Sequence, residues 1–253
     1  MKLYFCRHSF CMNLIVDVGN TNIKLAVFSK NELVYKVVCQ NQEFPIALAA
    51  LSQRFSEISH CIVSAVGRFS KDYVDLLSGQ YVLIQLTNNT LVPFVNAYGT
   101  PLTLGVDRIA LASAAALKFP KENVLIIDAG SCITYDFLTS DNHYKGGAIS
   151  PGISMRYKAM GHFTAGLPNL EKEKPISFVG DSTVACMHSG VIYGVVSEIE
   201  GAINRYKHEY SDLTIILTGG DADFLRESIK LGIFANSNFL LEGLHSILEH
   251  NKH

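Results

Sequence analysis

The sequence predicts an α/β protein built from two copies of one strand–turn–strand unit. Two observations carry this. An apolar run, Leu14-Ile15-Val16, ends at Asp17-Val18-Gly19-Asn20, and a second, Val124 to Ile127, ends at Asp128-Ala129-Gly130-Ser131. LIVDVGNT at 14–21 therefore matches LIIDAGSC at 125–132, and in both places another strand follows the turn. A repeat of this kind decides the architecture, so it is read before any local propensity.

The elements follow in order. Leu14 to Val16 is a buried strand running into a tight Asp/Gly/Asn turn. Ile23 to Phe28 and Leu33 to Val38 continue as strands with Lys30-Asn31 between them, which makes a three-strand meander. Phe44 to Phe55 reads as a helix, Cys61 to Ala65 as a strand ending near Gly67, Lys71 to Leu77 as a helix and Tyr81 to Leu86 as a strand. Thr87 to Thr103 is polar, carries Pro93, Gly99 and Pro101, and reads as a loop. Gly105 to Lys118 is helical and stops before Pro120. The pattern then restarts with strands at Val124 to Ile127 and Thr134 to Leu138, turning at Asp141-Asn142. A Gly/Pro-rich stretch covers Gly146 to Gly152, and a helix lies near Ser154 to Met160. After a charged loop, Glu171 to Lys174, a long helix from Thr183 to Tyr206 is expected to be interrupted at Gly190 and Gly194. A strand at Thr214 to Leu217 and a helix at Asn238 to Glu249 close the chain. The expected division is an N-terminal extension at 1–11, a first domain at 12–119 and a second at 120–253.

Composition narrows the function. Hydrophobic residues make up 48 % of the 253 and charged residues 17 %, enough to bury a core and too apolar for disorder. A net charge of -2 with scattered basic residues gives no case for a nucleic-acid partner. No apolar stretch approaches a membrane span. Cys6, Cys11, Cys39, Cys61, Cys132 and Cys186 form no CxxC pair and read as reduced thiols of a cytoplasmic protein. Cys6 to Cys11 could be a metal half-site, but reads better as part of a loose extension.

Four strings carry chemistry. Asp17-Val18-Gly19-Asn20-Thr21, followed by Lys24, offers a backbone anion nest, a hydroxyl and a cation. Asp17 at a strand end suits a hydrated Mg²⁺, which commonly meets one or two carboxylates plus phosphate. Asp128 to Ser131 is the matching loop of the second copy. Leu217-Thr218-Gly219-Gly220-Asp221 is a strand running into a double glycine, where a flat ring could lie against backbone beside a helix start. Gly105-Val106-Asp107-Arg108 places a carboxylate beside a guanidinium in a first helical turn, an acid/base group next to an anion holder. An ordinary Asx turn would give the second string equally well and a tight strand-to-helix turn the third, while the fourth, taken alone, reads better as a dipole-matched Asp at a helix start. No GxxxxGK[ST], GxGxxG or protein-kinase signature is present, so a nucleotide user would need these turns as its phosphate cradle.

DVGNTNIKLAVF at 17–28, YGTPLTLGVDR at 98–108, IIDAGSCITYDF at 126–137, GGAISPGISM at 146–155, GDSTVACMHSG at 180–190 and LTGGDADFL at 217–225 stand in the order found in type III pantothenate kinases, which the chain resembles from about residue 12 onward. The resemblance implies an actin-like pair of ribonuclease-H-like domains with mixed sheets and a nucleotide cleft between them, usually as a homodimer. It implies phosphorylation of pantothenate by ATP to 4′-phosphopantothenate, in coenzyme A biosynthesis. On it, Asp107 is the general base. Tyr98, Gly105, Val106, Arg108 and Thr183 line the pantothenate pocket. Asp17, Gly19, Asn20, Thr21, Lys24 and Ser131 bind ATP, with Mg²⁺ held at Asp17 through phosphate. Asp128 takes the position of a monovalent cation, K⁺ or NH₄⁺. Ser131 stands where the family usually has Thr, keeping the hydroxyl. Two alternatives remain open at this point. One is a different small-molecule kinase or a polyphosphate phosphatase on the same fold. The other is a non-catalytic transcriptional accessory relative.

Overall fold

The computed structural model describes residues 12–252. The expected extension at 1–11, with Cys6 and Cys11, lies outside the described residues. Within them the chain forms two compact units, one made of residues 12–93, 100–114 and 240–252, the other of 94–99 and 115–239.

The first unit is organised on a sheet of five strands. β1 (Met12–Val18), β2 (Ile23–Ser29) and β3 (Glu32–Cys39) are the expected antiparallel meander. The chain then crosses through α1 (Phe44–Arg54) to β4 (Ile58–Ala65), which runs parallel to β1, and through α2 (Lys71–Ser78) to β5 (Val82–Gln85). The strand order is β3-β2-β1-β4-β5. Leu14, Ile15 and Val16 are all fully buried, because the central strand of such a sheet is covered on both faces. Lys30 takes a left-handed φ of 56° to close the β2–β3 turn. This unit also contains the first turns of α3 (Val106–Lys118) and most of α7 (Phe239–His250).

The second unit repeats the plan. β7 (Asn123–Ala129), β8 (Cys132–Leu138) and β9 (His143–Pro151) form an antiparallel meander. α4 (Ile153–Phe163) and α5 (Thr183–Glu209) lead to β10 (Leu213–Thr218), parallel to β7, and the short α6 (Ala222–Leu225) leads to β11 (Phe234–Ala235). The order is β11-β10-β7-β8-β9-β6, where β6 (Val95–Asn96) is a two-residue addition at the edge. The sequence repeat is thus a repeat of topology. Asp17 and Asp128 occupy the sixth position of β1 and β7 respectively.

Three local expectations are corrected, and a stretch to which sequence reading assigned no element takes one. The Gly/Pro-rich stretch at 146–152 is largely strand, since β9 runs through it. Gly146 and Gly147 take φ of 92° and 157° in the pairing with β8, and a Cβ on Gly147 would fall on the Tyr135 carbonyl oxygen. Glycine is what lets the strand pass there. The loop at 87–103 contains β6, which pairs with β9. α5 is continuous through Gly190 and Gly194 for 27 residues, about 40 Å. Val191, Ile192, Val195, Val196, Ile199 and Ile203 bury one face of it, which outweighs the roughly 1 kcal/mol that each interior glycine costs. The helix expected at the double glycine is only four residues long.

A buried polar cluster anchors α7 in the first unit. His245 stacks on Phe28 with ring centroids 4.5 Å apart and 9° between planes. Its Nδ1 lies 3.2 Å from the Asn13 side-chain nitrogen, which also donates to Glu249 Oε1 at 2.5 Å. Burial holds the His245 pKa below its ordinary 6.5, against the opposing charge of Glu249. The Glu249 pKa is lowered despite burial, by its bonds to Lys252 and Asn13. Both groups take up protons more readily in the unfolded chain. The stability they give is complete above the ordinary histidine pKa and falls as pH drops below 6.5, with Glu249 adding to the loss below 4.5. Urea melts from pH 7.5 to 5 should show this decline, and it should be shallower in His245→Phe. An equal slope in both proteins contradicts the assignment.

Candidate active site

In the first unit, the β1–β2 register sets Asp17 directly opposite Lys24. Their side chains meet at 3.1 Å, Nζ to Oδ2. Asp17 is 5 % exposed. Burial raises its pKa, the Lys24 cation opposes that rise, and the Asp107 charge adds to it. Asp107 is therefore close enough for its charge to act on Asp17. The turn between the strands is pinned where the Gly19 N–H donates to the Asn22 carbonyl at 3.0 Å. Gly19, Asn20 and Thr21 line a cavity of about 320 Å³, together with Val18, Asn22, Ile23, Asn41, Gly67 and Arg68. Asp17 and Lys24 do not line it.

Asp107 lies in the first turn of α3, half-buried, and its Oδ1 accepts the Arg108 N–H at 2.8 Å. A Cβ on Gly105 would fall on that same Oδ1, so the missing side chain at 105 leaves the carboxylate its place. The Asn88 side chain donates to the carbonyls of Pro101 and Leu104, at 2.9 and 2.8 Å, and fixes the approach to the helix. Val106 is half-buried, and Arg108 is buried at 6 % exposure.

In the second unit, Asp128 is the penultimate residue of β7 and pairs with Thr218 of β10. Gly219 follows with a φ of 96°, and a Cβ there would strike both Asp128 Oδ1 and the Ala129 carbonyl. The Asp221 N–H bonds that carbonyl at 2.9 Å. The Asp-x-Gly loop and the double-glycine turn, 90 residues apart, are thus joined at Asp128. Ser131 is exposed, and its carbonyl accepts from Gly152 N–H at 3.2 Å. Tyr98 rests on Gly146, where a Cβ would be 2.8 Å from its ring, and faces Tyr144 at 6.1 Å between centroids. The Tyr144 hydroxyl donates to the buried Asp136 at 2.5 Å. Thr183 opens α5 and lines a second cavity of about 640 Å³ with Arg156, Met160, Leu167, Cys186, Met187, Gly190 and Val191. Tyr98 does not line that cavity.

A family model for type III pantothenate kinases matches residues 13–205. The chain belongs to this family. A type III pantothenate kinase of Christiangramia forsetii is 48 % identical over 241 residues, covering 95 % of this chain and 99 % of the relative. Among solved structures, a Campylobacter jejuni protein described as a Baf family transcriptional activator is similar at TM-score 0.57 and 22 % identity, over 94 % of this chain and 97 % of that one. A ROK family glucokinase of Streptomyces griseus, in complex with glucose and AMPPNP, gives TM-score 0.51 at 12 % identity, over 94 % and 98 %. At these identities the two structures speak for the fold, which is the actin-like α/β plan.

For this type III pantothenate kinase chain, sequence reading missed Gly67, Arg68 and Asn41 at the β1–β2 turn, and Gly146 and Tyr144 behind Tyr98. A usable signal existed for Gly67-Arg68. They follow the strand that pairs in parallel with β1, and ligands of open α/β sheets bind at the carboxyl ends of such strands. Among the described residues no group of three or more His, Cys, Asp or Glu could hold a metal ion. A hydrated Mg²⁺ resting on one carboxylate and phosphate needs none. No helix among them is long and apolar enough to cross a membrane.

Proposed function

We propose that the chain is a working pantothenate kinase, transferring the γ-phosphoryl group of ATP to pantothenate to give ADP and 4′-phosphopantothenate. The observation that carries this reading is the placement of Asp107. Its carboxylate is held in the first turn of α3 by the Arg108 N–H, in the space Gly105 leaves, within electrostatic reach of buried Asp17.

Asp107 accepts the proton of the substrate hydroxyl while that oxygen bonds to the γ-phosphorus and the bond to ADP breaks. Tyr98, Gly105, Val106, Arg108 and Thr183 hold pantothenate, with Arg108 as the anion partner. Gly19, Asn20 and Thr21 present the β1–β2 turn to the phosphates, and Lys24 opposes the rise that burial imposes on the Asp17 pKa. Asp17 fits Mg²⁺, because a buried carboxylate with a raised pKa gains from a cation. Asp128 fits K⁺ or NH₄⁺ as a carboxylate near the end of β7, beside which Gly219 carries no side chain that would strike its Oδ1. When bound, these cations neutralise charge on the phosphates. Ser131 adds a hydroxyl to the second turn. The protein acts in the cytoplasm as a homodimer. Exposed Phe163, Ile176, Phe178 and Val179 offer apolar surface for that association.

The test is an ADP-release assay with pantothenate, run in potassium and in sodium buffers. We expect ADP release only when pantothenate is present, and a several-fold loss in sodium that Asp128→Asn reproduces in potassium. ADP release independent of pantothenate sinks the substrate assignment. Equal rates in both buffers sink the cation role of Asp128.

A further inference from the structure

We infer that Arg68 is a phosphate-binding residue for this reaction, gripping the nucleotide's polyphosphate tail from the β4 side of the β1–β2 turn. The inference rests on reading that turn as the nucleotide-phosphate site.

The geometry begins with the two strands. β4 runs parallel to β1 with Ala65 beside Val18, so both chains leave the sheet at the same edge. The N–H groups of Val66 and Gly67 then both donate to the Val18 carbonyl, at 3.1 and 3.3 Å. A Cβ on Gly67 would fall on the Gly19 carbonyl oxygen, so the two loops touch backbone to backbone there. This fixes the Arg68 backbone against the turn, while its side chain stays exposed.

Charge supplies the second argument. Of the nine residues lining the 320 Å³ cavity, Arg68 alone carries an ionised side chain, and no carboxylate lines it. The other cation of the motif, Lys24, is engaged with Asp17 at 3.1 Å. No described residue pairs with the Arg68 guanidinium. Beside Val18 and Ile23, the cavity wall thus carries the Asn20, Asn22 and Asn41 amides, the Thr21 hydroxyl and one available guanidinium. That set suits an anion with several oxygens, which Arg can take with two parallel N–H bonds. An adenine or a ribose offers such a fork only neutral acceptors, without the paired anionic oxygens of a phosphate.

The experiment titrates the full chain with adenosine, ADP and ATP in magnesium buffer, as wild type, Arg68→Ala and Arg68→Lys. For Arg68→Ala we expect adenosine affinity to be unchanged and ADP and ATP affinity to fall roughly tenfold, the worth of one charge-assisted hydrogen bond. The KM for ATP should rise in parallel, with the KM for pantothenate unmoved. Arg68→Lys should lie between, since it keeps the charge and loses the fork. An equal loss for adenosine and ATP marks a merely structural role and overturns the inference. Unchanged ATP affinity in Arg68→Ala overturns it too, while leaving the turn as the nucleotide site. Wild-type protein that binds neither ADP nor ATP removes the phosphate reading of the turn and this inference with it.

Discussion

Asp107→Asn should bind ATP as the wild type does and turn over pantothenate ~10²–10⁴-fold more slowly, the usual loss when a positioned base is removed. That range corresponds to about 3–5 kcal/mol of barrier. The substitution is nearly isosteric, and an amide oxygen at 107 can still accept the Arg108 N–H, so the helix start survives. What goes is the site that takes the hydroxyl proton as the new P–O bond forms. Removing the Asp107 charge also relieves Asp17, whose pKa it helps to raise, so nucleotide and magnesium binding should not suffer. Single-turnover kinetics with saturating ATP separate the two quantities. Turnover within a few-fold of wild type removes Asp107 from the role of base.

Gly243→Ala should be the most damaging small substitution away from the site. Gly243 sits in α7, and a Cβ there would overlap the Ala110 carbonyl oxygen of α3 and press on the Ala114 methyl. A flexible side chain could swing aside, but a helical carbonyl cannot, so the helices must separate. Overpacking of this kind typically costs about 1–3 kcal/mol, and a contact with backbone belongs at the upper end. For a chain of this size each kcal/mol lowers the melting temperature by roughly 2–4 °C, so a drop of about 5–10 °C is expected. Because α3 carries Asp107 one turn before Ala110, kcat should fall as well while nucleotide affinity holds. A melting temperature within 1–2 °C of wild type would show that the helices can part at little cost.

The parts of this fold that were legible in the sequence share a cause. Leu14-Ile15-Val16 and Leu125-Ile126-Ile127 are buried on both sheet faces, so they stand out as apolar runs, and the Asp-x-Gly after each marks the turn. The repeat between them then predicts topology as well as strands. What escaped notice depended on contacts between distant segments. Gly146 and Gly147 carry no strand signal because glycine normally weakens a strand. Their tolerance comes from β8, whose Tyr135 carbonyl leaves no room for a side chain. Gly190 and Gly194 read as helix breaks because the face that stabilises α5 is buried by the sheet and its neighbours. β6 and β11 are two residues each, too short to carry any period. At the site, the Asp17–Thr21 turn was visible because glycine, asparagine and threonine have strong local preferences. Gly67-Arg68 carries no such pattern. Its meaning comes from the parallel pairing of β1 with β4.

The seating of α7 on α3 also bears on how the chain is made. The 120 residues from 119 to 238 lie between the two helices. On the ribosome, Asp107 therefore emerges long before the surface that steadies it, and the sheet that includes β7 can settle while the first sheet still lacks a helix. Until residues 239–250 have been translated, Ala110 and the Asn13 amide face solvent. Residues 239–250 thus complete a sheet whose strands were made first, and a nascent chain stalled before them should be more open to protease at α3 than at β7.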